Sequence, residues 1–374
     1  MKSVLFDVDG VFLSEERCFD VSALTVYELL MDQMYLGLKP DIDLSLLKNE
    51  DIARIRSDIF VNDEVLKKLK SLGLNSNWDM LYIVFSLHFI QILKELSSNE
   101  VEKILQCQQV SGNLLQEIGQ LIKFDDQIDY PLPLKFLEHV ESGKSNIFTR
   151  LQDYARNELN TNQVSFFEFK SPLWQLTQSI YQEWYLGSAL FKDVEGYEPY
   201  KDNKSGFIHH EILLRPIKEI QHLLNDLQDS GYQIAIATGR PRTETLVPFE
   251  SLNLLSYFDE MNIVTASEVL KSETMFPEYK PLGKPNPFSY IATLNGNKEE
   301  EYFKYITHQN NIVKKEEVFI VGDSLADLLS AKKIGATFIG TLTGLKGEQA
   351  KTELENNDAD YIVNHVGNIR DILL

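Results

Sequence analysis

The pattern of apolar and polar positions changes character near residue 205. From His210 onward, short apolar runs alternate with amphipathic segments. The runs are YQIAIATGR, VFIVGD, ATFIGTLTG and DADYIVNHV, and the segments between them include PIKEIQHLLNDLQDSG and SLADLLSAKKIG. Unalternating apolar strands separated by helices are typical of a parallel sheet with helices on both faces. We therefore predict a Rossmann-like α/β fold here, with Gly231 ending the first helix in a left-handed conformation.

The first strand of this sheet is predicted at the other end of the chain, over Val4 to Phe6. The intervening pattern is helical, as in DEVLKKLKSLG and VEKILQCQQVSGNLLQEIGQLI, and the turn-prone stretch GYEPYKDNKSG closes it. Insertions are tolerated at exposed loops. We therefore predict an α/β core made of residues 1–13 and 206–374, and an all-α domain, residues 14–205, inserted after the first strand.

The amino-acid composition limits the kinds of molecule that the protein can bind. The chain has 374 residues, 43% of them hydrophobic, and a formal net charge of −20, which argues against nucleic acid and anionic membranes as ligands. Cys18 and Cys107 alone make no disulfide framework. The longest apolar stretch, Leu81 to Leu93, is too short to span a bilayer and indicates a buried helix. The N-terminus lacks the apolar core of a signal peptide, so we expect a soluble, cytoplasmic protein.

Polar residues that could take part in catalysis or ligand binding follow the predicted strands. Parallel sheets bind ligands at this end of their strands. The residues are Asp7 and Asp9 after the first strand, Thr238 and Gly239 after the second, Lys284 in a later loop, and Asp323 and Asp327 after VFIVG. Each has an ordinary explanation when taken alone: a chance D-x-D-G string, a loop threonine, a solvated lysine, or a helix N-cap with an acidic first turn. Their shared position at strand ends, or in a loop that leads to one, favours one common site.

Clustered carboxylates repel one another, and a divalent cation relieves that repulsion; Mg²⁺ prefers such oxygen ligands. A carboxylate can accept a phosphoryl group, and a second carboxyl two residues on can protonate the leaving alcohol and then activate water. A lysine and a threonine hydroxyl can hold the phosphoryl oxygens. The sequence therefore favours phosphoryl chemistry on a small substrate.

The set FDVDGV, IATGR, GKPNP and GDSLAD resembles the motifs of the haloacid dehalogenase superfamily, over a little under half of the chain. The resemblance implies that Asp7 is the nucleophile and Asp9 the general acid/base. It implies phosphate binding by Thr238, Gly239 and Lys284. It also implies a Mg²⁺ site formed by Asp7, Asp9 (through its backbone carbonyl) and Asp323, with Asp327 supporting the metal site or holding Lys284. Asp9 favours the phosphatase branch, since the dehalogenases lack this residue.

The insertion lies where this family carries its type-1 cap, and it is more than twice the usual size. Trp184 and Tyr185, beside Gly187, could form a substrate-specificity loop; helix packing is the alternative. Arg240 and Arg242 could grip a second anionic group of the substrate; a solvated loop is the alternative. The string His209-His210-Glu211 lacks metal-ligand spacing and favours a linker.

The leading hypothesis is a Mg²⁺-dependent phosphatase that acts on a small phosphorylated metabolite through an aspartyl phosphate. One alternative is a sugar phosphomutase on the same core. Another is a non-enzymatic regulatory protein that works through its helical domain. The sequence names neither the substrate nor the oligomeric state.

Overall fold

The chain folds into two compact units. The computed structural model describes residues 2–74, 76–122, 128–307 and 313–374. The core unit comprises Met1–Arg17 together with Ile208–Leu374, and the inserted unit comprises Cys18–Phe207. These boundaries lie within a few residues of those expected from the sequence.

The inserted unit is built from α-helices, and its described residues contain no strand. Its helices are α1 (Glu16–Met31), α2 (Asn49–Ile59), α3 (Glu64–Ser71), α4 (Asn77–Leu93), α5 (Ser98–Leu105), α6 (Gly112–Leu121), α7 (Leu132–Leu137), α8 (Lys144–Leu159), α9 (Pro172–Leu186) and α10 (Ser188–Glu195). The longest apolar stretch lies in α4 and is almost entirely buried, which confirms the predicted interior helix. No helix within the described ranges is both long and apolar enough to cross a membrane.

Buried ion pairs connect α1, α9 and the segment that leads out of the inserted unit. Lys204 Nζ lies 2.8 Å from Glu28 Oε2 and 3.0 Å from Glu183 Oε2. Lys201 Nζ lies 2.9 Å from Glu28 Oε1. The Lys204 side chain is 2% exposed and both glutamates are 0% exposed, so these charges depend on one another for compensation. The exit segment is therefore fixed to the two helices.

The core unit contains one parallel sheet, with six strands among the described residues. They are β1 (Ser3–Phe6), β2 (Gln233–Ala237), β3 (Ile263–Val264), β4 (Val318–Gly322), β5 (Thr337–Thr341) and β6 (Tyr361–Val363). Their order is β3-β2-β1-β4-β5-β6, so β1 pairs with β2 on one side and β4 on the other. The order reverses between β1 and β4, and open parallel sheets bind ligands outside the carboxyl ends of strands at such a point.

Helices cover both faces of this sheet. They are α11 (Ile217–Asp229), α12 (Arg242–Ser251), α13 (Ala266–Met275), α14 (Phe288–Asn295), α15 (Tyr302–Thr307), α16 (Leu325–Ile334), α17 (Gln349–Asn356) and α18 (Arg370–Leu373). Val4 and Phe6 of β1 pack with α11 and α12 on one face, whereas Leu5 packs with α14 and α16 on the other. Because side chains alternate along a strand, both faces of β1 must be apolar. The predicted α/β class with an inserted all-α segment is confirmed.

The two chain segments that flank the insertion lie side by side within the core unit. Leu13 and Leu213 form an antiparallel bridge. Ser14 donates its backbone N–H to Ile212 O at 2.8 Å, and Leu214 donates to Phe12 O at 3.0 Å. This pairing sets the position of Glu211, which follows the inserted unit by a few residues.

Candidate active site

The loop after β1 begins the site. The N–H of Asp7 donates to Val321 O at 2.9 Å and continues the β1–β4 ladder for one residue. The Asp7 carboxylate then accepts the N–H of Val8 at 2.8 Å. Gly10 has φ of +71°, and a Cβ there would lie 2.4 Å from Cγ of Asp323. Only glycine therefore allows this loop to approach the loop after β4 so closely.

The loop after β4 supplies two more carboxylates. Ser324 caps the N-terminus of α16, accepting the N–H of Asp327, and its hydroxyl donates to Asp327 Oδ2 at 2.6 Å. The ordinary explanation of this motif as a helix cap is thus correct for Ser324. It does not exclude a second role, because carboxylate oxygens of Asp7, Asp323 and Asp327 all lie within 4.8 Å of one another among the described residues.

Lys284 joins two of these carboxylates. Its Nζ lies 3.1 Å from Asp7 Oδ1 and 2.8 Å from Asp327 Oδ1. The Tyr290 hydroxyl donates to the same oxygen of Asp327 at 2.7 Å, and the Tyr290 ring centroid lies 4.9 Å from the Lys284 ammonium. Asp327 therefore holds Lys284 in place, one of the two roles proposed from the sequence.

Burial and neighbouring charges shift the pKa values of these groups in opposite directions. Burial raises the pKa of Asp7 to about 7; Lys284 opposes this shift, and the Asp327 and Asp9 charges add to it. Burial also raises the pKa of Asp327, but the charge of Lys284 and the hydrogen bonds from Lys284, Ser324 and Tyr290 outweigh it and hold the pKa below its ordinary value. Burial lowers the pKa of Lys284, yet Asp327 and Asp7 raise it above the ordinary value. The lysine is charged, and it forms an ion pair with Asp7.

Thr238 and Gly239 follow β2 at the same edge of the sheet. Phe6 is in register with Ile236, and Thr238 donates its N–H to Val264 O at 3.0 Å. Thr238 is buried, and its hydroxyl oxygen accepts the N–H of Arg240 at 3.2 Å. Gly239 has no atom within 4 Å of an added Cβ, so its backbone position does not require glycine. Phosphate binding by both residues stays a prediction.

Arg240 and Arg242 are engaged by protein carboxylates rather than solvated. Arg240 binds Asp9 and Glu211, with Nη2 to Asp9 Oδ1 at 2.7 Å. Arg242 binds Glu260 at 3.0 Å and Glu268 at 3.2 Å. Binding of a second anionic group of a substrate by either guanidinium stays a prediction. The solvated-loop alternative is incorrect for Arg240, whose side chain is 5% exposed.

Trp184 and Tyr185 lie inside α9 rather than in a loop. Gly187, with φ of +79°, follows the last residue of the helix, Leu186. Both aromatic side chains are buried, and Trp184 Nε1 donates to Glu28 Oε2 at 2.6 Å. The specificity-loop interpretation is therefore wrong for their local structure, and they pack within the inserted unit.

Further residues shape the site without an obvious signal in the sequence. Thr341 and Thr343 both donate their hydroxyls to Gly10 O, at 2.9 Å and 2.5 Å. A Cβ on Gly344 would lie 1.8 Å from Asp323 Oδ2. These three residues could have been identified from the sequence by their position at or just after the end of β5, the strand beside the one that leads to Asp323. Tyr290 lies in α14 and belongs to no motif.

Comparison with known proteins agrees with this geometry. The sequence profile of the haloacid dehalogenase-like hydrolases matches residues 199–341, a range that contains Thr238, Lys284, Asp323 and Asp327. The pyrophosphatase PpaX of Halalkalibacterium halodurans is 22% identical over 170 residues, which are 46% of this chain and 65% of that protein. The PpaX of Bacillus pumilus is 23% identical over 219 residues, which are 56% of this chain and 89% of that protein.

A crystal structure described only as a structural genomics target is similar along the whole chain. It is 57% identical, with a TM-score of 0.92, and the match covers 100% of this chain and 98% of that one. Its description gives no function. The profile match and the motif residues gathered at one edge of the sheet agree with each other. Over residues 199–341 the chain is similar to the haloacid dehalogenase-like hydrolases.

Proposed function

We propose that this protein is a Mg²⁺-dependent phosphatase that hydrolyses a small phosphorylated metabolite through a phosphoryl group carried on Asp7. One observation carries the proposal. The buried Lys284 ammonium contacts both Asp7 and Asp327, and Asp323 lies in the same cluster of carboxylates. A nucleophilic carboxylate beside a fixed cation and a cluster of oxygen ligands suits phosphoryl transfer, in which the protein positions groups and stabilises charge.

The carboxylate cluster fits Mg²⁺, which binds through a few carboxylates, waters and phosphate oxygens. Oδ1 of Asp327 already accepts from Lys284 and Tyr290, and its Oδ2 accepts from Ser324. We therefore assign the metal to Asp7, Asp323 and the backbone carbonyl of Asp9, with Asp327 supporting the site through Lys284. When bound, Mg²⁺ would neutralise phosphoryl oxygens and relieve the repulsion among these carboxylates.

The reaction proceeds in two displacements at phosphorus. An Asp7 oxygen forms a bond to phosphorus as the bond to the ester oxygen breaks, and the Asp9 carboxyl gives that oxygen its proton. Water then forms a bond to phosphorus as the bond to Asp7 breaks, and Asp9 takes the proton from the water. Lys284 and the Thr238 hydroxyl hold the phosphoryl oxygens as charge moves onto them. Inorganic phosphate and the alcohol are the products.

A panel of small phosphorylated compounds tests the proposal. It includes p-nitrophenyl phosphate, sugar phosphates and, because two relatives bear the name pyrophosphatase, inorganic pyrophosphate. We expect phosphate release that needs Mg²⁺, stops with EDTA and is lost in Asp7→Asn. Asp371→Asn, a change of an exposed carboxylate in the same unit, is the matched control and keeps activity.

Full turnover by Asp7→Asn, or turnover indifferent to Mg²⁺, contradicts the proposal. Isomerisation of a sugar phosphate faster than phosphate release would instead indicate a phosphomutase. An inactive panel together with one stoichiometric protein partner would favour a regulatory role.

A further inference from the structure

Arg240 binds the carboxylate of Asp9 through two nitrogen atoms. Its Nε lies 2.9 Å from Oδ1 and 3.0 Å from Oδ2, and its Nη2 lies 2.7 Å from Oδ1. The Arg240 side chain is 5% exposed and that of Asp9 is 28% exposed. A planar guanidinium that binds both oxygens of a carboxylate fixes the direction as well as the position of that group.

Arg240 is itself held from the opposite side. Its Nη1 lies 2.5 Å from Oε1 of Glu211, whose side chain is 2% exposed. Its backbone N–H donates to the Thr238 hydroxyl. To release Asp9, the arginine would have to swing away from a second buried carboxylate, which is costly when that charge is left without its partner.

Glu211 lies on the paired segments that flank the insertion. The neighbouring residue Ile212 accepts the N–H of Ser14 at 2.8 Å, and the next one, Leu213, bridges to Leu13. Arg17 Nε donates to the backbone carbonyl of His210 at 2.9 Å, on the other side of Glu211. The series of ion pairs from Glu211 through Arg240 to Asp9 is therefore anchored at both ends to backbone that is held in place by hydrogen bonds.

We propose that Arg240, held by Glu211, is a positioning residue that sets the direction of the Asp9 carboxyl for proton transfer to the ester oxygen and from the attacking water. This inference deepens the proposed phosphatase function and rests on it. A general acid must lie within hydrogen-bond reach of the oxygen it protonates. A displacement of a catalytic group by about 1 Å can lower the rate about 100-fold. In this proposal the arginine acts by holding Asp9 in position, without touching the substrate.

The identity of the leaving group distinguishes this role from a purely structural one. Phenol has a pKa of about 10, like the tyrosine side chain, and departs faster when it is protonated. The 2,4-dinitrophenolate ion is a far weaker base and departs without a proton. Losing the alignment of Asp9 therefore slows phenyl phosphate more than 2,4-dinitrophenyl phosphate.

The experiment measures kcat on both esters for the wild type, Asp9→Asn, Arg240→Lys, Arg240→Ala and Glu211→Gln. We expect the ratio of phenyl to dinitrophenyl turnover to fall about tenfold to 100-fold in the Arg240 variants, and in the same direction in Glu211→Gln. Free guanidinium ion should restore the ratio in Arg240→Ala. Because both esters are measured on one preparation, any unfolded fraction cancels in the ratio.

Arg242→Lys is the matched control, since the neighbouring arginine binds Glu260 and Glu268. It should keep the wild-type ratio. An unchanged ratio in the Arg240 variants, beside a changed ratio in Asp9→Asn, overturns the inference. Failure of the wild type to hydrolyse either ester would instead count against the proposed function.

Discussion

The ammonium of Lys284 lies 3.1 Å from Oδ1 of Asp7. Burial alone would favour the protonated form of Asp7, which is a poor nucleophile; Lys284 opposes this most strongly, and the Val8 N–H also opposes it. The lysine side chain is 13% exposed and that of Asp7 is 12% exposed, so water screens the interaction only weakly. The pair therefore links the ionisation of Asp7 to a residue far away in the sequence.

Replacing Lys284 by methionine should lower kcat for phosphate release by about 100-fold to 1,000-fold, the range measured when one stabilising donor is removed from an active site. In the proposed mechanism this charge both holds phosphoryl oxygens and favours the ionised form of Asp7, and the variant loses both effects. Steady-state kinetics on p-nitrophenyl phosphate at saturating Mg²⁺ measures the effect.

Lys280 offers the matched control, because it is exposed and also precedes a proline in the same loop. Lys280→Met should retain wild-type kcat. If Lys284→Met folds and keeps the activity of the Lys280 variant, Lys284 is not part of the catalytic site.

Gly344→Ala should weaken Mg²⁺ binding. The added Cβ would lie 1.8 Å from Oδ2 of Asp323, so that carboxylate has to rotate, whereas the backbone of Gly344 is not in the left-handed region. Disturbing the surroundings of a metal ligand typically costs about 10-fold to 100-fold in metal affinity. The Mg²⁺ concentration that gives half-maximal activity should rise by this factor.

Gly283→Ala is the comparison, since no atom lies within 4 Å of its added Cβ. It should leave the Mg²⁺ requirement unchanged. An equal requirement in both variants would mean that Asp323 does not contribute to the metal site.

Much of the core could be predicted because its signals are local. The strands β1, β2, β4, β5 and β6 are apolar runs bounded by turns or helices, and the glycine after α11, Gly231, has φ of +83° as expected. The edge strand β3 was missed, because Ile263–Val264 is two residues long and gives no periodicity to detect. It joins the sheet through its pairing with β2.

The site was predictable only where a motif sits at a strand end. Asp7, Asp323 and Asp327 do converge, because the ends of neighbouring parallel strands meet at one edge. The partners of Arg240 could not be predicted, since Asp9 is 231 positions away and Glu211 is 29 positions away. For Trp184, the adjacent Gly187 suggested a loop, whereas it ends the helix that buries the tryptophan.

The buried ion pairs of the inserted unit predict a large loss of stability in Lys204→Met. This change leaves Glu28 and Glu183, both 0% exposed, with one less cation. Breaking a buried pair by removing one partner costs about 3–5 kcal/mol of the free energy of unfolding. Urea denaturation followed by circular dichroism measures this loss.

Lys192 pairs with Glu198 on the surface of the same unit, at 59% and 72% side-chain exposure. Lys192→Met should cost much less stability than Lys204→Met, because solvent screens exposed pairs. Equal losses in the two variants would show that the buried network does not stabilise the unit.

Because His88 is buried, we predict that the free energy of unfolding declines on acidification. Burial lowers the pKa of His88 from 6.5 to about 4, and its Nε2 has no hydrogen-bond partner within the part of the chain that the structure describes. In the unfolded chain His88 therefore binds a proton below pH 6.5, whereas in the folded chain it binds one only near pH 4. Its contribution is fully present above pH 6.5 and is lost as the pH falls, by about 2 kcal/mol between pH 7 and pH 5.

Comparing wild type with His88→Met at both pH values isolates this contribution, and His139→Met, a change of an exposed histidine in the same unit, is the control. The His88 variant should lose less stability than the wild type on acidification, and the His139 variant should follow the wild type. Parallel losses in all three proteins would rule out His88 as the source.

The central claim is that a phosphoryl group is carried on Asp7, and trapping it tests the claim most directly. Acid quenching during turnover of p-nitrophenyl phosphate with Mg²⁺, followed by borohydride reduction and peptide mass spectrometry, identifies the residue that carried the acyl phosphate. We predict homoserine at position 7 in the wild type and no modified residue in Asp7→Asn. Reduction at another residue, or steady turnover with an unmodified Asp7, would contradict the account.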